Sequence, residues 1–124
     1  MTGIDPRAWS MTEAGLMERI RKMCKQLGLL HFHIRDSRGS WGPGFPDLVI
    51  ASRKGVLIAE CKSQTGVLSP DQRRWRDALT AAGMNYHLWR PSHCLDGTIA
   101  NALVRLSPLP VVAFTAEDIA ELST

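Results

Sequence analysis

The chain is expected to fold as an α/β domain in which helices flank a four-stranded mixed β-sheet. Three observations carry that expectation. Segments of helical period stand at both ends of a block of short apolar runs. One of those runs, Val56-Leu-Ile-Ala59, is apolar on both faces, as a central strand must be. The elements follow one another as α-β-β-β-α-β-α, the order that wraps helices around a single sheet.

Each element has its own justification. Ser10-Met-Thr-Glu13 has the S-x-x-E form of a capping box, so the first helix is expected to start there. Leu16, Ile20, Met23 and Leu27 then recur at three- and four-residue steps, with Arg19, Arg21, Lys22 and Lys25 facing outward, and Gly28 supplies the stop. Leu29 to Ile34 reads as a strand with His31 and His33 on one face and Leu30, Phe32 and Ile34 on the other. A polar, glycine-rich loop, Arg35 to Gly44, leads to a second strand at Pro46–Ala51, and Arg53-Lys-Gly55 turns the chain into a third at Gly55–Lys62. Ser69-Pro-Asp-Gln72 combines an N-cap serine, a proline at the first helical position and a glutamine at the third. The helix that it opens carries Trp75, Ala78, Leu79 and Ala82 and ends at Gly83. Met84–Trp89 is a fourth strand and Leu95–Leu106 a further helix. In the tail, Val111–Phe114 is read as an edge strand and Thr115-Ala-Glu-Asp118 as the start of a last short helix.

At 124 residues, the chain has room for one domain with a single modest core, here about residues 10–106, followed by a C-terminal extension over 107–124. No apolar run approaches the roughly 18 residues that cross a bilayer, and the N-terminal MTGIDPRAWS lacks the apolar stretch of a secretory signal. The expected compartment is therefore the cytoplasm, with no membrane partner. Cys24, Cys61 and Cys94 are odd in number and widely spaced, which fits neither a disulfide framework nor a structural zinc site. Residues 1–106 hold all 15 basic side chains against nine acidic ones. A basic body of this kind suits a polyanionic partner, although solvated surface charge accounts for it equally well.

The chemistry is expected at Pro46-Asp47 and Glu60-Cys61-Lys62. Twelve residues separate the two carboxylates, which fall on consecutive strands joined by a tight turn. Antiparallel pairing brings Asp47 and Glu60 together at one end of the sheet, and alternation along the strand puts Lys62 on the face of Glu60. Two bare carboxylates side by side repel, and one is forced to protonate. A divalent hard cation resolves the conflict, because Mg²⁺ binds through one or two carboxylates, water and a phosphate oxygen.

These residues carry a resemblance. Gly44-Phe-Pro-Asp-Leu-Val-Ile50, the strand ending in Glu60-Cys-Lys62, Gly66-Val-Leu-Ser-Pro-Asp-Gln72 with Trp75, Ala82-Gly83 and Trp89-Arg-Pro-Ser92 resemble the VRR-NUC family of the PD-(D/E)xK nuclease superfamily, from about Glu13 to about Leu106. The resemblance implies a restriction-endonuclease-like αβββαβ core. It also implies a Mg²⁺- or Mn²⁺-dependent deoxyribonuclease that needs no organic cofactor, is selective for branched DNA such as flaps or Holliday junctions, and works as a homodimer. Bacterial or phage origin goes with the compact form. By resemblance, Asp47 and Glu60 are metal ligands with the backbone carbonyl of Cys61, Lys62 is the catalytic lysine, and Gln72 is an active-site glutamine. Glu13 would hold metal-bound water. Cys61 departs from the family, in which a bulkier apolar residue is common. His33, Ser37 and Arg38 fall in a polar stretch ahead of the PD motif, and with Arg35, Arg73 and Arg74 they are the candidate DNA contacts.

Ordinary readings stand beside these. Glu13 and Gln72 each hold the third position of a capping box, and capping alone explains both. The arginines are equally a solvated face, and Trp75 and Trp89 suit a core better than a base-stacking platform. Trp41, in the glycine-rich loop, is the better candidate for touching nucleic acid or a partner subunit. The main alternative function is a nucleic-acid-binding module that keeps the fold without cutting. A small-molecule hydrolase is disfavoured, because the chain has no nucleophile elbow.

Overall fold

A computed structural model describes residues 3–34, 39–109 and 116–123. A 3₁₀ turn at Pro6–Trp9 leads into α1, Glu13–Gln26. The cap of this helix corrects the sequence reading. Thr12, not Ser10, is the N-cap, its hydroxyl accepting from Gly15 N at 3.0 Å. Ser10 instead closes the 3₁₀ turn, its hydroxyl donating to Arg7 O, so Glu13 opens the helix and is not the third residue of a capping box. The apolar stripe is buried as its spacing predicts, with Cys24 added. Arg21, Lys22 and Lys25 are exposed, whereas Arg19 is half-buried within reach of the Cys94 thiol.

The four strands are β1 (Leu30–His33), β2 (Leu48–Ser52), β3 (Gly55–Cys61) and β4 (Tyr86–Trp89), and they pair in that order. The first two pairings are antiparallel and β3–β4 is parallel, which makes the sheet mixed. Residues opposite one another share a face, so Leu48, Ile50, Leu57, Ala59, Cys61 and Trp89 form one layer, buried beneath α1 and the helices after β4. His31 and His33 fall on that same face, because they pair with Ile50 and Leu48. Strand parity then sends Leu30 and Phe32 to the opposite face, where both are exposed beside a partly exposed Val56.

Between β3 and β4 runs α2, Pro70–Ala81, which begins with the capping box and N1 proline that its sequence predicts. None of its residues is fully buried, so Trp75 and Leu79 are only half-covered and Ala78 is exposed. The expected helix over 95–106 is in fact two: α3 (Pro91–Leu95) and α4 (Thr98–Leu106). Gly97 separates them with φ +87°, a left-handed conformation that ends one helix and caps the next. A last helix, α5 (Ala116–Ser123), packs on α4. The reading of Val111–Phe114 as a strand lies outside the described residues, as do Arg35, Ser37 and Arg38. The result is an α/β fold whose four-stranded mixed open sheet is flanked by helices, consistent with a restriction-endonuclease-like core. Among the described residues, no helix is long and apolar enough to cross a membrane.

Candidate active site

The β2–β3 hairpin builds the centre of the site. Its register pairs Leu48 with Ala59, and one step outward Asp47 faces Glu60. Both carboxylates thus lie on the sheet face opposite the main core, at the end remote from the turn. Asp47 is held in place by its own strand's neighbour: its Oδ2 accepts from the Cys61 amide at 2.9 Å.

Glu60 is 2% exposed. A carboxylate so far out of water resists ionisation, and its pKa is pushed up to about 9. Burial is the largest cause, followed by the neighbouring Asp47 carboxylate. Lys62 opposes the rise, and Glu13 adds to it. Its Oε2 accepts from Gln72 Nε2 at 3.2 Å, while Oε1 is buried with no hydrogen-bond partner. An orphaned lone pair on a buried acid beside a second acid is what a hard cation would satisfy. Among the described residues, no three His, Cys, Asp or Glu side chains gather to hold a metal by themselves. Two carboxylates with a backbone carbonyl and water suit a largely hydrated Mg²⁺ or Mn²⁺ and not a closed zinc site.

Gln72 both caps its helix and touches Glu60. Its Oε1 accepts from Ser69 N at 2.8 Å in the capping box, and its amide reaches Glu60. Ser69 caps in return, which locks the side chain at both ends. Lys62, half-buried, follows β3 with its N–H on Trp89 O at 3.0 Å. A Cβ at Gly66 would stand 3.4 Å from Lys62 Cδ and 3.1 Å from Ser63 Oγ, so the bare backbone of Gly66 lets this loop close over the lysine stem. Glu13, at the exposed start of α1, acts on Glu60 and Cys61 by charge alone.

The other sequence candidates separate. His33 faces α1, on the opposite side of the sheet from Asp47 and Glu60. It lines a cleft with His31, Met17 and Leu48. Arg73 spends one guanidinium nitrogen on Leu68 O at 2.9 Å, fastening the loop ahead of α2. Arg74 is largely exposed and only loosely paired with Asp71, at 3.8 Å.

Two residues to which sequence reasoning gave no role prove to organise the site. Arg90 Nη1 donates to Ser63 O at 2.8 Å and Gly66 O at 2.7 Å, and Ser92 N donates to Gln64 Oε1 at 3.0 Å, so the segment after β4 clamps the loop that carries Lys62. Gly44, with φ +85°, lies so close to α2 that a Cβ there would stand 2.6 Å from the Asp71 backbone and 2.8 Å from Gln72 N. The signals were the Trp89-Arg-Pro-Ser92 block and the glycine ahead of Pro46-Asp47, but neither names its partner.

Residues 8–91 match the family model of the VRR-NUC domain. No curated protein and no solved structure matches the chain.

Proposed function

The chain belongs to the VRR-NUC family and carries a nuclease-type domain, and from that premise we propose that it is a metal-dependent DNA endonuclease. The observation that carries the reading is the buried Glu60, one oxygen held by Gln72 and the other without a partner, beside Asp47. A Mg²⁺ or Mn²⁺ ion held by Asp47, Glu60 and the Cys61 carbonyl, with Glu13 acting through water, would supply Lewis-acid polarisation of the scissile phosphate.

The chain's own groups have definite tasks in this reading. Asp47 is fixed by the Cys61 amide, and Glu60 is oriented by Gln72, so neither carboxylate has to reorganise when the phosphate arrives. As water adds to phosphorus and the bond to the departing sugar oxygen breaks, negative charge grows on the phosphate oxygens. The Lys62 ammonium offsets that charge and orients the water. The basic side chains of the body attract the strand and weaken their hold as salt is raised.

The reading extends to branched DNA cut by a symmetric pair of chains. A four-way junction offers two equivalent strands, and a single small domain has limited surface to engage both. The test is a cleavage panel of linear duplex, flap and four-way junction in Mn²⁺, with chelator and Lys62→Ala as controls. Cleavage of a branched substrate is expected, reduced by about 10²–10³-fold in the variant, the usual magnitude for losing one transition-state charge stabiliser. Salt-sensitive binding with no cleavage of any substrate would instead make the chain a non-catalytic nucleic-acid-binding module.

A further inference from the structure

Beside the first turns of α2 opens a cleft that neither carboxylate lines. It has a volume of about 440 Å³ and is lined by Trp41 and Pro43 of the loop before β2 and by Arg74, Trp75 and Ala78 of α2. The loop is firmly fastened. Trp75 Nε1 donates to Pro43 O at 3.2 Å, Phe45 meets the Trp75 ring edge-on at 4.8 Å, and the backbone at Gly42 and Gly44 lies directly against Trp75 and the start of α2. Yet the loop holds Trp41 wholly in solvent. A large aromatic side chain kept in water on an anchored loop, at the mouth of an aromatic-walled cleft, is a surface awaiting a flat partner.

We infer that this cleft takes one unpaired nucleobase of the DNA strand being cut, stacked on Trp41. The inference rests on the nuclease reading and specifies its substrate class. Continuity with the site selects this occupant. Asp71 lines the cleft, and the next residue, Gln72, holds Glu60. Trp41 lies six residues before Asp47, at most about 21 Å away along an extended chain, or about six nucleotide steps of a duplex strand. Charge complementarity agrees: the Arg74 guanidinium sits 3.8 Å from Asp71 in an exposed, easily exchanged pair, free to turn to the phosphate of the stacked nucleotide. Every base has a π-face, so stacking tolerates any sequence, but a base inside a duplex already spends both faces on its neighbours. The cleft therefore selects strands with an unpaired nucleotide near the scissile bond.

The test is the affinity of the full chain, in chelator, for a fluorescein-labelled single strand, a blunt fully paired duplex and the same duplex with one bulged nucleotide. Trp41→Ala is expected to weaken the single-strand and bulge complexes by about fivefold or more, with a smaller loss on the paired duplex. Trp41→Phe should restore most of the loss, because it keeps a stacking ring. Trp41 is fully exposed, so its removal leaves the core intact, and a thermal melt verifies this. Equal losses on all three DNAs, or none, overturn the inference. A change in sedimentation without a change in DNA affinity also overturns it, assigning the cleft to a second copy of the chain. Cleavage in Mn²⁺ keeps the two readings apart. If the unsubstituted chain cuts and Trp41→Ala keeps its preference for the bulge, the cleft inference fails alone. If the unsubstituted chain cuts nothing, the nuclease reading fails while the binding arm still decides what Trp41 stacks on.

Discussion

Glu60 concentrates the physics of this protein in one side chain. It is buried, and its raised pKa keeps its proton on until the pH nears about 9. An acid whose folded pKa lies above its unfolded value binds its proton more tightly when folded. The stability this contributes is complete below about 4.5 and drains away as pH rises towards about 9. Glu60→Gln cannot ionise and keeps the shape of the protonated acid. In chelator, its melting temperature should draw level with or exceed that of the unsubstituted chain increasingly as pH rises through this interval, while nuclease activity is lost. Mn²⁺ should stabilise the unsubstituted chain more at the alkaline end than at the acid end, and should do little for the variant. Melting curves that run parallel across pH would show that Glu60 is not the group under strain.

At the scale of elements, the site depends on where two loops are held. Gly44 lets the loop before β2 rest on the first turn of α2, and its left-handed φ excludes a side chain twice over, by conformation and by contact. Gly44→Ala should cost about 1–3 kcal/mol in thermal unfolding. It should also lower activity, since the backbone it displaces belongs to Asp71 and Gln72. The other loop, after β3, is clamped by Arg90 through the carbonyls of Ser63 and Gly66. Arg90→Ala removes charge-assisted hydrogen bonds worth about 1.5–3 kcal/mol each in favourable settings. Arg90 is engaged with the carbonyls of the loop that follows Lys62, so we expect kcat to fall more than substrate affinity does. An equal change in both would assign Arg90 to binding. α2, none of whose residues is fully buried, is tied at its N-terminal end by Gln72 to Glu60 and by Arg73 to Leu68 O, and Trp75 packs against Phe45.

At the scale of the molecule, the sheet is covered unequally. One face lies under α1, α3 and α4, while on the other Leu30, Phe32 and Val56 remain in water. Apolar side chains grouped on one sheet face mark an interaction surface more often than a free one. If the chain acts as a symmetric pair, Leu30→Asp with Phe32→Glu should turn a sedimenting dimer into a monomer. Both residues are exposed, so the fold should tolerate the change. Unchanged sedimentation of a dimer would place the interface elsewhere.

Local periodicity settled a good deal in advance. The order of elements follows from runs of period two and period three to four, and the meeting of Asp47 with Glu60 follows from a short hairpin, because both depend on residues close in the chain. The capping of α2 was equally visible in Ser69-Pro-Asp-Gln72. What depended on distant partners was not. Which face of β1 turns inward is decided by its register with β2 across a long loop, and hydropathy alone would have turned Leu30 and Phe32 inward, whereas that face carries a half-buried His31 and an exposed His33. Ser10 lost the helix cap to Thr12 because it ends the 3₁₀ turn upstream, so the helix starts only at Glu13. Arg90 clamps a loop more than twenty residues earlier, and Gly44 touches a helix on the far side of a hairpin. The sequence by itself determined the four strands of the sheet, α1, α2 and the pairing of the acids. Only the tertiary structure decided which surfaces are buried, which are left bare and which loops hold the chemistry still, because those outcomes depend on contacts between segments that no local pattern encodes.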